Sequence, residues 1–134
     1  MAVRKKRVRR RKKRYHTGTY VSTKTGQACK YRSGWELEYL KWLDAHLMVR
    51  TFGYESVKIP YVSNLRTGKL RNYFPDFLVE FTDGSKQLVE IKPSKRLVQA
   101  GVKKKLEAAE RWCQAHGVSL VVLTERELKV MGLL

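Results

Sequence analysis

Glu36 sits where a leucine would be expected. After Ser33 the chain carries Leu40, Leu43 and Leu47 at helical spacing. At 100° per residue these fall at about +40°, −20° and +20° from Glu36. A carboxylate therefore occupies the middle of the face meant for the core, while Glu38, about 160° away, reads as an ordinary solvated acid. Asp76 is a second misfit. It interrupts the apolar run Tyr73-Phe74-Pro75-Asp76-Phe77, where Asp is a poor strand residue and Pro75 removes a ladder donor. The third feature is Glu90-Ile91-Lys92, in which a two-residue period puts Glu90 and Lys92 on one strand face and Val89 and Ile91 on the other. Singly, each has a plain structural reading: a helix N-terminus complemented by an acid, a strand-start cap, a surface ion pair.

Together the four form a chemical set. A hairpin joining the Asp76 strand to the Glu90 strand brings Asp76 beside Glu90 and Lys92. Two converging carboxylates suit Mg²⁺, which is often held by one or two carboxylates plus waters and phosphate. Such an ion lowers the pKa of water and offsets charge building on a phosphate. A lysine alongside can orient or deprotonate that water and stabilise the transition-state charge. These are the parts of metal-assisted phosphodiester hydrolysis. A geometric condition attaches. A two-residue Asp83-Gly84 loop would set Asp76 opposite Ile91 and send the carboxylates to different faces, so the set requires a three-residue loop or a bulge near Pro75.

The elements that must position these residues follow from pattern. Residues 15–32 read as a transition, with Gly18, Gly26 and Ser/Thr residues breaking any period. Ser33 is the expected N-cap of a helix bearing Trp35, Leu37, Tyr39 and Trp42 on its apolar arc, with Gly53 ending that region. Val57, Ile59 and Tyr61 alternate with polar residues as in a half-buried strand, and Pro60 favours an edge. Asn64 to Gly68 is expected as a loop, then a strand from about Tyr73 to Phe81, a turn at Thr82-Asp83-Gly84-Ser85, and a strand from Gln87 to Lys92. From Leu97 to His116 the helical period returns through Val98, Val102, Leu106, Ala109 and Cys113, with Gly117 as C-terminal cap. Val118 to Leu123 reads as a strand buried on both faces, and Thr124-Glu125-Arg126-Glu127 as a capping box opening a short helix. The order is α-β-β-β-α-β-α, a mixed sheet flanked by helices in the α/β class.

Composition bounds the partner. The 134 residues hold 29 Lys+Arg and 12 Asp+Glu, a net charge of +17. Arg4, Lys5, Lys6, Arg7, Arg9, Arg10, Arg11, Lys12, Lys13 and Arg14 crowd the first fourteen residues with no acid, leaving a net +7 on the rest. Like charges at that density repel, which predicts a disordered arm suited to a polyanion. The division expected is an arm over 1–30 and a domain over 31–134. Arg32, Arg66, Lys69 and Arg71 are further candidates for phosphate contacts. Hydrophobic residues at 43% exclude a wholly disordered chain. No apolar run approaches the ~20 residues needed to span a bilayer, so no membrane partner and a cytoplasmic setting are expected. Cys29 and Cys113 are too few for a disulfide framework or zinc cage. His16, His46 and His116 are too scattered for a histidine metal site, and Trp35, Trp42 and Trp112 fit core packing better than base stacking.

Pro75-Asp76 followed by Glu90-Ile91-Lys92, with a helical Glu36 upstream, resembles the PD-(D/E)xK nuclease signature on its α-β-β-β-α-β core. The wider text is more specific. Tyr31-Arg32-Ser33-Gly34-Trp35-Glu36-Leu37, Ile59-Pro60-Tyr61, Tyr73-Phe74-Pro75-Asp76-Phe77, Glu90-Ile91-Lys92-Pro93 and Leu123-Thr124-Glu125 resemble the head-completion nucleases of tailed phages. The endonuclease subunit of heteromeric transposases and the phage junction-resolving endonuclease share that core. The resemblance implies a restriction-endonuclease-like fold with a four-stranded mixed sheet and a DNA substrate. It further implies Mg²⁺ or Mn²⁺, metal-site roles for Glu36, Asp76 and Glu90, and a catalytic Lys92. The carbonyl of Ile91 is expected to join Asp76 and Glu90 at the ion. A phage head-completion or DNA-packaging nuclease is the expected function, with junction resolution, transposon-end cutting and a non-catalytic DNA-binding virion protein as alternatives. Phage head, portal or recombination proteins and a second copy of the chain are the expected protein partners, and a virion is the alternative location.

Overall fold

The computed structural model describes residues 17–134. The ten cations from Arg4 to Arg14, and His16, lie outside the described residues. The chain opens with a hairpin, β1 (Gly18–Val21) and β2 (Ala28–Tyr31), where the sequence reads as an aperiodic transition. Its period is masked because each strand has only four residues. Asp44 fixes this hairpin from the next helix. Its carboxylate accepts hydrogen bonds from Tyr20 Oη at 2.6 Å, Ser22 Oγ at 2.6 Å and the Thr23 backbone N–H at 2.9 Å. Burial alone would raise the Asp44 pKa, but these bonds outweigh it and hold the carboxyl below its usual value. The Tyr20 hydroxyl donates its hydrogen bond to that carboxylate, which pushes its pKa up to about 12.

Helix α1 runs from Gly34 to Ala45, with Ser33 as the expected N-cap. Glu36, Tyr39, Leu40 and Leu43 are buried on its inner face. Leu47, expected on that face, lies beyond the helix end and is exposed. Strand β3 (Val49–Tyr54) follows, an element the sequence reading lacks. A bulge between Val49 and Thr51 breaks its alternation, which hides it from a period-two pattern. Next, β4 (Ile59–Asn64) and β5 (Lys69–Tyr73) form a separate two-stranded ribbon. The strand expected from Tyr73 to Phe81 is therefore two: the chain leaves the ribbon at Phe74-Pro75-Asp76 and enters β6 (Phe77–Phe81). A tight turn leads into β7 (Lys86–Ile91). A single 3-10 turn at Ser94–Arg96 precedes helix α2 (Ala100–His116), capped by Gly117 in the left-handed conformation. Val98 precedes α2 and is exposed rather than on its apolar stripe. Strand β8 (Ser119–Leu123) and helix α3 (Glu125–Val130), with its Thr124–Glu127 capping box, complete the fold.

The central sheet has the order β3-β6-β7-β8, with β8 parallel to β7 and the other neighbours antiparallel. The mixed four-stranded sheet is as expected, with β3 rather than the Ile59 strand as its first member. Strand β8 is an edge strand and only half-buried, not covered on both faces. Phe77 and Val79 of β6 and Val89 and Ile91 of β7 face α1, β2 and α3, packing with Tyr39, Leu40, Leu43, Cys29 and Leu128. Leu88 of β7 faces the other way, into a second core made by Ile59, Tyr61 and Tyr73 of the ribbon and Ala108, Ala109 and Cys113 of α2. Cys29 and Cys113 are both core residues, and burial raises both thiol pKa values. Trp35 and Trp42 pack against the first core, and Trp112 packs against the second while stacking on His116.

Candidate active site

The geometric condition on Asp76 is met by the turn. Phe81 N–H bonds to the Ser85 carbonyl at 2.8 Å and Gly84 N–H to the Phe81 carbonyl at 3.0 Å, leaving three residues, Thr82-Asp83-Gly84, between them. Gly84 adopts φ +87°, the left-handed position such loops require. Asp83 further fixes the turn by accepting from Ser85 N–H and Oγ. The resulting register pairs Phe77 with Val89 and Leu78 with Leu88, so one step further along it sets Asp76 opposite Glu90. Directly opposed residues share a face. Asp76, Glu90 and Lys92 thus all lie on the α2 face of the sheet, at the open end of β6 and β7.

Each carboxylate is held by identifiable donors. The β6–β7 ladder ends at Phe77, so the Ile91 N–H beyond it bonds instead to Asp76 Oδ2 at 2.7 Å. The Asp76 carbonyl accepts from Glu55 N–H at 2.9 Å. Glu55 itself has φ +50°, an unusual conformation for a side chain with a Cβ, at the sharp exit from β3. Glu90 is buried; its Oε1 accepts from Tyr73 Oη at 2.7 Å and its Oε2 lies 3.3 Å from Lys92 Nζ. Glu36 comes from the opposite side of the sheet, at the head of α1. Ser33 Oγ accepts the Glu36 N–H at 3.2 Å and stands 3.3 Å from Glu36 Oε2. Tyr54 Oη is 2.7 Å from Glu36 Oε1 and 2.8 Å from the Lys30 carbonyl, two acceptors for a single hydroxyl proton. Burial comes first in raising the pKa of both tyrosines, and their acidic partners push them further.

All four predicted residues line one cleft of about 820 Å³, together with Tyr73, Glu55, Arg32, Phe74, Lys105 and Thr17. Asp76 is half-buried in its wall, and its carboxyl pKa is raised well above the ordinary value. Loss of water is the main cause, followed by the negative charges of Glu90 and then Glu36; the Ile91 N–H and Lys92 oppose them. This unmet negative charge on hard oxygen donors is what a divalent cation would relieve. Among the described residues no three His, Cys, Asp or Glu side chains cluster closely enough to form a cage by themselves. Mg²⁺ does not need one, since one or two carboxylates with water and phosphate hold it. The donor set fits such an ion.

The candidate phosphate-binding residues divide. Arg32 is at the cleft, paired with Glu55 at 3.3 Å. Arg66 is exposed in the turn of the β4–β5 ribbon, and Lys69 and Arg71 are exposed two positions apart on β5. Tyr73 and Glu55 are cleft residues that the sequence reading missed, as is Tyr54, which bonds Glu36 from outside the cleft lining. Tyr73 and Glu90 are 17 positions apart, in strands of different sheets, so no local period signals their contact. Lys105 reaches the site from α2 and lies 5.9 Å above the Tyr73 ring centroid.

Residues 46–125 match the family of TnsA-like endonuclease N-terminal domains, a span that includes Asp76, Glu90 and Lys92 and begins after Glu36. The head completion nuclease of Enterobacteria phage T4 is 31% identical over 124 aligned positions, covering 76% of this chain and 82% of that protein. The chain belongs to the TnsA-like endonuclease family and is a distant relative of a phage head completion nuclease.

Proposed function

We propose that this endonuclease cuts DNA by metal-assisted hydrolysis of a phosphodiester in the cleft at the open end of β6 and β7. The observation that carries the reading is the three-residue turn, because it puts Asp76 and Glu90 on one face with Lys92 beside them. Asp76 and Glu90 would hold a Mg²⁺ or Mn²⁺ ion, with the Ile91 carbonyl as third ligand and Glu36 completing or bridging the site. When bound, the ion supplies charge against the phosphate and acidifies water. Lys92 orients the attacking water and places its ammonium where negative charge builds on the phosphate oxygens. Glu90, paired to Lys92, keeps that ammonium aimed. Tyr73 and Tyr54 hold the Glu90 and Glu36 carboxylates in fixed orientations. The core order α1-β3-β6-β7-α2-β8 supports reading the fold as restriction-endonuclease-like, with the ribbon as an insertion after its first strand.

Arg32, Arg66, Lys69, Arg71 and the arm from Arg4 to Arg14 contact phosphates, giving affinity without base choice. The similarity along 82% of a head completion nuclease favours a role in phage DNA packaging, with head or portal proteins as partners. The TnsA-like match favours a second reading, cutting at a transposon end or a junction alongside recombination proteins. The test is cleavage of supercoiled, linear and four-way-junction DNA with Mg²⁺, Mn²⁺ or EDTA, comparing wild type with Asp76→Ala and Lys92→Ala. The expected result is metal-dependent cutting, lost in both variants while DNA binding is kept. The preferred DNA then chooses between the two readings. Binding without cutting would favour a non-catalytic virion role, and activity surviving in both variants would move the site elsewhere.

A further inference from the structure

The β4–β5 ribbon carries a face that is left exposed among the described residues. Its inner side chains, Ile59, Tyr61 and Tyr73, pack on Ala108, Ala109 and Cys113 of α2. On the outer face Val62 and Leu70 are cross-strand partners, 38% and 66% exposed. The turn beyond them presents Leu65 at 82% exposure. At the other end Asn72 and Phe74 pass directly into the catalytic cleft, with Phe74 46% exposed. An apolar strip therefore runs from the ribbon tip to the cleft wall.

Charge says what covers it. From Ser56 to Pro75 there is no acid, and Lys58, Arg66, Lys69 and Arg71 are all exposed. Helix α2 adds Lys104, whose Nζ donates to the Ser63 carbonyl at 3.0 Å, and Lys105 over Tyr73. Those contacts also brace the ribbon, so it is presented as a stiff projection. Strands of five and six residues make a ribbon roughly 20 Å long. A two-stranded ribbon fits the ~12 Å major groove of B-DNA and not the ~6 Å minor groove. In that groove apolar side chains find thymine methyl groups and the flanking cations find phosphates.

We infer that the β4–β5 ribbon docks in the major groove of duplex DNA next to the cut site, its Val62–Leu70 face toward the bases with Lys58 and Arg66 beside that face, while Lys69 and Arg71, which share the opposite face with Tyr61 and Tyr73, reach for the phosphates of the groove walls. This rests on the nuclease reading for the position of the cut, but the docking itself is independent of chemistry. The ribbon sets where along the duplex the scissile phosphate meets Asp76 and Glu90, because Tyr73 ties its end to Glu90.

The test uses the full chain in EDTA, so that binding is read without cutting. Wild type is compared with Val62→Ser/Leu70→Ser and with Arg66→Ala/Lys69→Ala/Arg71→Ala, each checked for an unchanged melting transition. Probes are a 30-bp duplex, the same duplex methylated at guanine N7, and a minor-groove-binding competitor. Wild-type binding is expected to weaken about tenfold on N7 methylation and to resist the competitor. The serine pair should lose about tenfold in affinity and most of its sensitivity to methylation. The triple variant should flatten the log–log salt dependence by about three. Unchanged affinity and methylation sensitivity in the serine pair would overturn the inference, as would displacement by the minor-groove ligand. So would a concentration-dependent dimer that the serine pair abolishes, since a second copy would then own this face. Adding Mg²⁺ separates the two readings: a wild type that shows the groove footprint but never cuts overturns the nuclease reading alone, and one that cuts without the footprint overturns the ribbon alone.

Discussion

Taking the charge from Asp76 is expected to stabilise the metal-free protein while ending its activity. The folded state raises this carboxyl's pKa, so it binds a proton more tightly than the unfolded chain does. Stability is therefore lost as pH rises from the unfolded value of about 3.8 through the raised folded value, and the ionised group is a cost at neutral pH. Asp76→Asn removes that cost, and its melting temperature in EDTA at pH 7 should exceed wild type by a few degrees. Added Mg²⁺ should raise the wild-type transition and leave the variant's unmoved, since only a bound ligand shifts it. Lys92→Ala should reduce the cleavage rate about 100- to 1000-fold with DNA affinity retained. Tyr73→Phe should cost about 10- to 100-fold in rate, the scale of losing a group that orients a metal-site carboxylate, and a filter-binding assay should find DNA affinity unchanged. The four proposed site residues are legible in the sequence because each breaks a local pattern: an acid on a core stripe, an acid after proline in an apolar run, an acid and a base two apart. Tyr54, Tyr73 and Glu55 break none. A buried tyrosine is an ordinary core residue until a distant carboxylate is brought to its hydroxyl.

Between Phe81 and Ser85 one extra residue decides whether the carboxylates meet, which makes the β6–β7 turn a functional element far from the cleft. Gly84→Ala puts a Cβ on a residue at φ +87° and should lower stability by about 1 kcal/mol, read as a reduced urea midpoint with the slope unchanged. Nothing stands within 4 Å of an added Cβ there, so the cost is backbone strain alone. The elements legible beforehand were those long enough, or capped strongly enough, to declare themselves: α1 behind Ser33, α2 before Gly117, α3 behind its capping box, and β7. Those missed were short or interrupted. The β1–β2 strands have four residues each, β3 carries a bulge, and Phe74-Pro75-Asp76 divides an apolar run that reads as one strand. Once the ribbon is separated from β6, Asp76 stands at a strand entrance, which explains why an acid is tolerated there.

Across the whole molecule the charge is lopsided: ten of the 29 cations precede Tyr15. Deleting residues 1–14 should weaken DNA binding at low salt by at least tenfold and reduce the salt slope by several units, as measured by fluorescence anisotropy across a potassium chloride series. The preference for one DNA form over another should survive, because shape is read by the folded body. The cleft and its polarity were foreseeable from four residues and a charge count, whereas the exposed ribbon face was not, since Val62, Leu65 and Leu70 look like any strand's apolar residues until the sheet is seen to end beside them. Thr17, the first described residue, lines the candidate cleft. Arg14 stands three residues before it in the sequence, so the basic segment joins the folded body at this cleft. Cations tethered at that point would meet DNA in the cleft at an effective concentration set by tether length. Both newly made ends would then remain within reach of the same tether, which favours retention of the cut product over its release.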